Sequence, residues 1–73
     1  MTERKLYEMA QKIPHGITKV SERPKCDFCE LAAIVDGKTR VGPWANMCLR
    51  HYLLCGVGLG LGKGQFLLVV GEK

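Results

Sequence analysis

The sequence lacks any apolar run long enough to cross a membrane. Its longest candidate, residues 65–70, covers six positions, whereas a transmembrane helix needs about 20 apolar residues. The N-terminus, Met1-Thr2-Glu3-Arg4-Lys5, also lacks the apolar segment of a secretory signal. We therefore expect a cytoplasmic protein from a reducing compartment, with no membrane partner.

Strong charge and a run of aromatic residues are missing as well. The formal net charge of +4 permits nucleic-acid binding without requiring it, and no aromatic run is present to stack single-stranded bases. A chain of 73 residues forms one domain at most and buries too little apolar surface to be comfortably stable. We therefore expect an additional stabilising link, such as a bound metal ion.

The chain does contain two closely spaced ligand pairs, Cys26-x-x-Cys29 and Cys48-x-x-His51, with 18 residues between them. A Cys-x-x-Cys turn directs two thiolates at one ion, and a Cys-x-x-His pair does the same from one helix face. The spacing predicts a structural Zn²⁺ site with these four ligands, whose binding free energy would contribute to folding.

Other uses of the cysteines are less consistent with the sequence. Disulfides need an oxidising compartment, unpaired core cysteines would not fall into spaced pairs, and a thioredoxin-like redox pair needs a βαβ context. Cys55 lies seven residues after Cys48 and four after His51, so it shares their helix face. It is an alternative fourth ligand to His51, although a buried spare thiol fits better.

Periodicity divides the chain into three segments: 1–16, 17–56 and 57–73. In the first, Leu6, Met9, Ala10 and Ile13 have the spacing of an amphipathic helix that Thr2 could cap. We expect this helix to pack on the domain or to fray, and a partner-binding role is the alternative. The charged residues that follow, including Arg23, have the mixed signs of a solvated face.

The middle segment predicts a knuckle, a hairpin and a helix. Asp36-Gly37 predicts a type I′ turn that pairs Val35 with Lys38 and Ala33 with Arg40. Gly42-Pro43-Trp44 would end the hairpin, with Trp44 in the core over the metal site. Asn46 would cap a helix over 47–55 that Gly56 closes.

A glycine-rich run, residues 56–64, leads from the middle segment into the last one. It does not fit a Walker A loop, because Gly64 stands where Ser or Thr should be. It predicts a flexible turn that returns the last strand, or else a backbone surface that a partner or phosphate approaches closely. Residues 65–70 predict a strand buried on both faces or paired with another chain, which would permit a homo-oligomer.

Knuckle, hairpin and ligand-bearing helix occur in the order of a treble-clef zinc finger, which residues 24–56 resemble. The fold class implied is a small α+β zinc-stapled domain with an added N-terminal helix and C-terminal strand. The segment Cys26 to Gln65, with its Gly42-Pro43-Trp44-Ala45 and glycine-rich motifs, also resembles small zinc-finger proteins of actinobacterial phages. That resemblance implies a phage protein in a bacterial cytoplasm.

No enzymatic activity is expected. Nucleases that resemble this class place a general-base His on the hairpin, whereas residues 31–44 contain none. Four protein ligands would also close the zinc coordination that a catalytic site keeps open.

Two non-enzymatic functions remain. Residues 31–73 hold five basic and two acidic side chains, so Lys38, Arg40, Arg50 and Lys63 are candidates for phosphate contacts in a nucleic-acid-binding or regulatory module. The alternative is an adaptor that binds a host or phage protein through the N-terminal helix or the terminal strand.

Overall fold

A four-stranded mixed sheet organises the chain in its computed structural model, which describes residues 1–70. The sheet carries two helices, so the structure is a small α+β fold. In chain order the elements are α1 (Glu3–Gln11), β1 (Ile17–Val20), β2 (Val35–Lys38), β3 (Trp44–Met47), α2 (Leu49–Cys55) and β4 (Gly64–Val69). The last three residues of the predicted segment 57–73 lie outside this description.

The C-terminal strand lies inside the sheet, whose order is β1-β4-β2-β3. β4 pairs in parallel with β1 and antiparallel with β2. Phe66 and Leu67 are buried at its centre, which explains the apolar run without alternation. A second chain that added a strand at β4 would have to displace β1 or β2.

Helix α1 packs on the sheet as its apolar spacing predicts. The Thr2 side chain accepts a hydrogen bond from the Lys5 backbone N–H at 3.1 Å, so the predicted N-cap is present. Leu6 and Ala10 are buried in the core that Phe66 shares. Most of the apolar stripe of this helix is therefore used inside the chain, whereas Met9 is exposed.

Arg23 ties α1 to the sheet, in contrast to the solvated role that its mixed-charge surroundings predict. Its Nη1 lies 2.9 Å from the Glu3 carboxylate, and its Nε donates to the Leu67 carbonyl at 3.0 Å. The guanidinium also lies 5.5 Å from the centre of the Phe66 ring. A planar cation with several donors can make all three contacts at once.

The predicted Asp36-Gly37 turn is wrong. Both residues lie within β2, and Lys38 pairs with Trp44 instead of Val35. A Cβ atom on Gly37 would lie 2.7 Å from the Cα of Gly64 on β4, so glycine is needed there for close strand approach.

The actual hairpin turn follows β2, at residues 39–43. The Thr39 backbone N–H and hydroxyl both donate to the Pro43 carbonyl, at 3.1 and 2.9 Å. Gly42 supplies the positive φ, 119°. Gly42 and Pro43 therefore form the turn that they were expected to follow, and the predicted pairing of Ala33 with Arg40 is absent.

Two further expectations for this region are wrong. Trp44 is 53% exposed instead of buried in the core. Asn46 lies in β3, so the helix begins at Leu49 with Cys48 at its N-cap. Gly56 follows the helix with an extended backbone, φ −73°, and not in the left-handed conformation of a glycine C′ residue.

The glycine-rich segment is a turn that leads into β4. The Gly60 and Gly64 backbones exchange hydrogen bonds of 2.7 and 3.0 Å, and Lys63 N–H donates to the Gly60 carbonyl. Gly60 has a positive φ of 114°. Leu59, between two of the glycines, is buried in the core.

Candidate metal centre

Four potential ligands converge from two parts of the chain: Cys26, Cys29, Cys48 and His51. Cys26 and Cys29 flank the turn between β1 and β2, where Cys26 N–H donates to the Leu31 carbonyl at 2.8 Å. Cys48 is the N-cap residue of α2, and His51 follows in its first turn. The fold thus brings together the four potential ligands that the spacing in the sequence predicted.

The distances fit one tetrahedral ion. All four ligand atoms lie within 4.8 Å of one another. The Sγ atoms of Cys29 and Cys48 are 3.7 Å apart, and His51 Nδ1 lies 3.6 Å from Cys26 Sγ and 3.2 Å from Cys48 Sγ. Zinc bonds of about 2.3 Å to sulfur and about 2.0 Å to nitrogen would give tetrahedron edges of about 3.8 and 3.5 Å.

The same distances disfavour a disulfide. A disulfide requires sulfurs about 2.05 Å apart, whereas the Cys29 and Cys48 sulfurs are separated by 3.7 Å. All four cysteines of the chain are free thiols in the structure. Three sulfurs and one imidazole nitrogen form a donor set that favours zinc among the common divalent ions.

Local hydrogen bonds affect two of the sulfurs differently. Burial raises the pKa of the Cys26 thiol, but the backbone amides of Cys48 and Phe28 donate to its sulfur and bring the pKa below its ordinary value. At Cys29 the backbone amide of Leu31 lowers the pKa, yet burial and the two neighbouring sulfurs together raise it. Binding of a metal ion requires both thiols in their deprotonated form.

Asp27 fixes the knuckle to the sheet, a role that the sequence did not reveal. Its carboxylate accepts a hydrogen bond from the Asn46 N–H at 2.7 Å, and its own N–H donates to the Asn46 carbonyl at 2.8 Å. Asn46 lies two residues before Cys48, so these bonds hold the two ligand pairs in register. An acid between two cysteines gives no local signal of such a distant partner.

Two further contacts involve His51, the potential ligand in the first turn of α2. The Phe28 ring lies 5.4 Å from the His51 imidazole, centre to centre, and covers one side of it. The Cys55 thiol donates to the His51 carbonyl at 3.1 Å. Cys55 does not belong to the four-residue cluster, which contains His51. It is partly buried.

The four predicted phosphate-binding residues are all exposed, but they are not all brought together. The Lys38 backbone N–H donates to the Lys63 carbonyl at 2.8 Å, and the Arg40 backbone N–H, two residues further on, donates to the Cys55 carbonyl at 2.7 Å. These three residues thus lie around the hairpin end and the glycine-rich turn. Arg50 lies in the first turn of α2, near the metal ligands.

Comparisons with protein-family models, with curated proteins and with solved structures found no match. The knuckle, hairpin and helix occur in the order predicted, but the treble-clef and phage assignments stay predictions. None of the helices within residues 1–70 has the length and apolar character needed to cross a bilayer.

Proposed function

We propose that this protein is a non-enzymatic module in which a structural zinc ion holds a nucleic-acid-binding surface. The Cys₃His cluster supports the first part, since four protein ligands would complete a tetrahedral coordination and leave no position for a substrate. A metal at this point would join the knuckle to α2 in a chain with a small core.

The observation that carries the nucleic-acid proposal is a one-sided charge distribution. Residues 37–70 contain no Asp or Glu, while Lys38, Arg40, Arg50 and Lys63 all lie in this part of the chain. Because three of these cations surround the hairpin end, a phosphate chain passing there would meet positive charge from several strands and turns. In contrast, residues 1–30 hold six basic and five acidic side chains.

Metal content is tested by native mass spectrometry of protein purified without chelator. One zinc per chain is expected. Cys26→Ser should lose the ion, whereas Cys55→Ser, a matched change outside the cluster, should keep it. Equal metal content in both variants would contradict the site.

Nucleic-acid binding is tested by titration with DNA at several salt concentrations. Phosphate contacts make the logarithm of affinity fall linearly with the logarithm of salt concentration, with a slope of about 0.9 per contact on a duplex. Arg40→Gln should reduce that slope by about one, while Lys12→Gln, exposed on the other half of the chain, should leave it unchanged. Absence of binding at low salt would contradict the proposal.

A protein-binding adaptor is the second candidate, favoured by exposed apolar residues on α2. Leu53 and Leu54 are 47% and 62% exposed at adjacent positions of this helix. The two surfaces that the sequence offered, α1 and β4, contribute to the core instead. A regulatory role as a phage protein in a bacterial host is compatible with both functions, and it rests on the resemblance to small zinc-finger proteins of actinobacterial phages.

A further inference from the structure

The side chain of Trp44 lies on the sheet surface where a core position was expected. It is the only tryptophan of the chain and is 53% exposed. Its neighbours Ala45 and Met47 belong to or pack against the core, and α1 and α2 cover that face through Leu6, Tyr52 and other apolar residues. Because side chains alternate along a strand, Trp44 shares the opposite face with Asn46.

Lys38 is the residue directly opposite Trp44 in the sheet. Trp44 and Lys38 are paired across β2 and β3, and residues directly opposite in an antiparallel pair have Cβ atoms about 5 Å apart. The backbone of Lys38 is bonded to that of Lys63 on the neighbouring glycine-rich turn. An aromatic plane and at least two exposed ammonium groups therefore occupy one end of the sheet.

The part of this face next to Trp44 is polar, whereas Leu67, further along β4 on the same face, is buried. Asp36 and Asn46 are paired one pleat further along the same strands, and Gln65 of β4 pairs with Asp36. The Asp36 carboxylate borders the basic region on this side, so a polyanion would pass over the hairpin end, away from it.

Two other exposed apolar residues, Val41 and Leu61, lie in the hairpin turn and the glycine-rich turn. Arg40 and Lys63 are in the same two turns, and this mixture of apolar and cationic groups favours a polyanion over lipid chains or a hydrophobic protein face.

We propose that Trp44 stacks against an unpaired base of a single-stranded nucleic acid, while Lys38, Arg40 and Lys63 contact its phosphates. This inference rests on the proposed nucleic-acid function and names its substrate class. A flat ring on an exposed strand is accessible to the face of an unpaired base, whereas the base faces in a duplex are covered by their neighbours. The cations supply the sequence-independent phosphate attraction.

The experiment uses the zinc-loaded full chain and its own tryptophan fluorescence. An oligothymidylate of about ten nucleotides, within the usual range of single-strand site sizes, is compared with a duplex of the same length. Stacking should quench Trp44, and the single strand should bind more tightly than the duplex. Both the quenching and the affinity should decrease with salt.

Substitutions separate stacking from charge. Trp44→Ala should weaken oligothymidylate binding by roughly ten-fold to a hundred-fold, the usual effect of losing one stacking residue. Trp44→Phe keeps an aromatic plane and should restore most of the affinity. Val41→Ala, at an 80% exposed position of the same hairpin, is the matched control and should bind like the unmodified protein. Metal content and thermal melting of each variant show that it is folded.

Several results would overturn the inference. If single strand and duplex bind equally, without quenching and without an effect of Trp44→Ala, the proposed function stands and the stacking site is wrong. If no nucleic acid binds at low salt, both are wrong. A blue shift of Trp44 emission with phosphatidylglycerol vesicles but not with the oligonucleotide would assign the surface to membranes. Trp44-dependent self-association in sedimentation would assign it to a second copy of the chain.

Discussion

Substitution of Gly37 by Asn distinguishes the observed register of β2 from the one predicted from Asp36-Gly37. In a type I′ turn, position 37 needs a positive φ, which Asn tolerates, so Gly37→Asn would cost below about 1 kcal/mol. In the structure, a Cβ at this position meets the Cα of Gly64 and the carbonyl oxygen of Lys63, each at 2.7 Å. Both contacts are backbone atoms, which cannot move aside as a side-chain end can.

The magnitude follows from what must move. The central pairing between β2 and β4 has to open, and overpacking of this kind costs typically about 1–3 kcal/mol, with loss of strand hydrogen bonds in addition. We expect Gly37→Asn to lower the free energy of unfolding by at least about 3 kcal/mol. For a domain of this size the corresponding fall in Tm is roughly 12–24 °C. Gly37→Ala should behave similarly, because its Cβ makes the same contacts.

Thermal and urea unfolding of the zinc-loaded variants, followed by circular dichroism, measures this effect. Gly62→Asn is the matched control, since Gly62 has φ 79° and no atom within 4 Å of a built Cβ. It should lose less than about 1 kcal/mol. A Gly37→Asn variant as stable as Gly62→Asn would refute the close approach of β2 and β4.

The remaining predictions concern the metal and Arg23. Removal of zinc by a strong chelator should abolish the cooperative melting transition and readdition should restore it, because the ion joins two otherwise weakly held parts of the chain; an unchanged transition would contradict a structural metal. Zinc affinity should fall as pH is lowered from about 8 to about 6, since binding requires deprotonated thiols and a neutral imidazole, and protons compete for both. Competition with a chromophoric chelator measures this affinity. A pH-independent affinity would exclude thiolate ligation. Arg23→Met should destabilise the protein by about 1–3 kcal/mol in urea unfolding, because the Leu67 carbonyl and the Glu3 carboxylate each lose their partner. A loss below about 0.5 kcal/mol would show that Arg23 is a surface residue, as its sequence context predicted.

If the stacking site and the metal centre are both present, they lie at opposite ends of the hairpin formed by β2 and β3. The metal holds the end of β3 that leads through Met47 into Cys48, and Trp44 lies at the other end, beside the turn. Zinc binding would then fix the strand that presents the aromatic ring without contacting the nucleic acid itself.

The cluster of potential metal ligands and the local helical features could both be predicted from the sequence. Cys26, Cys29, Cys48 and His51 could be identified because each pair is separated by two residues, and a turn or a first helical turn of that length directs both side chains to one point. Thr2 and the apolar stripe of α1 were predictable for the same reason, since cap and stripe depend on residues within one or two helical turns.

The strand register and the side chains exposed on the surface depend on contacts between distant parts of the chain. Asp36-Gly37 has the local chemistry of a turn, but its glycine is required by Gly64, which lies 27 positions further along the chain. Tryptophan is a residue type expected in a core, yet the pairing of β3 with β2 placed Trp44 on the sheet face opposite the two helices. Arg23 and Asp27 likewise have partners more than ten residues away. Local propensity carries no information about such distant contacts, so these roles could be established only once the chain was folded.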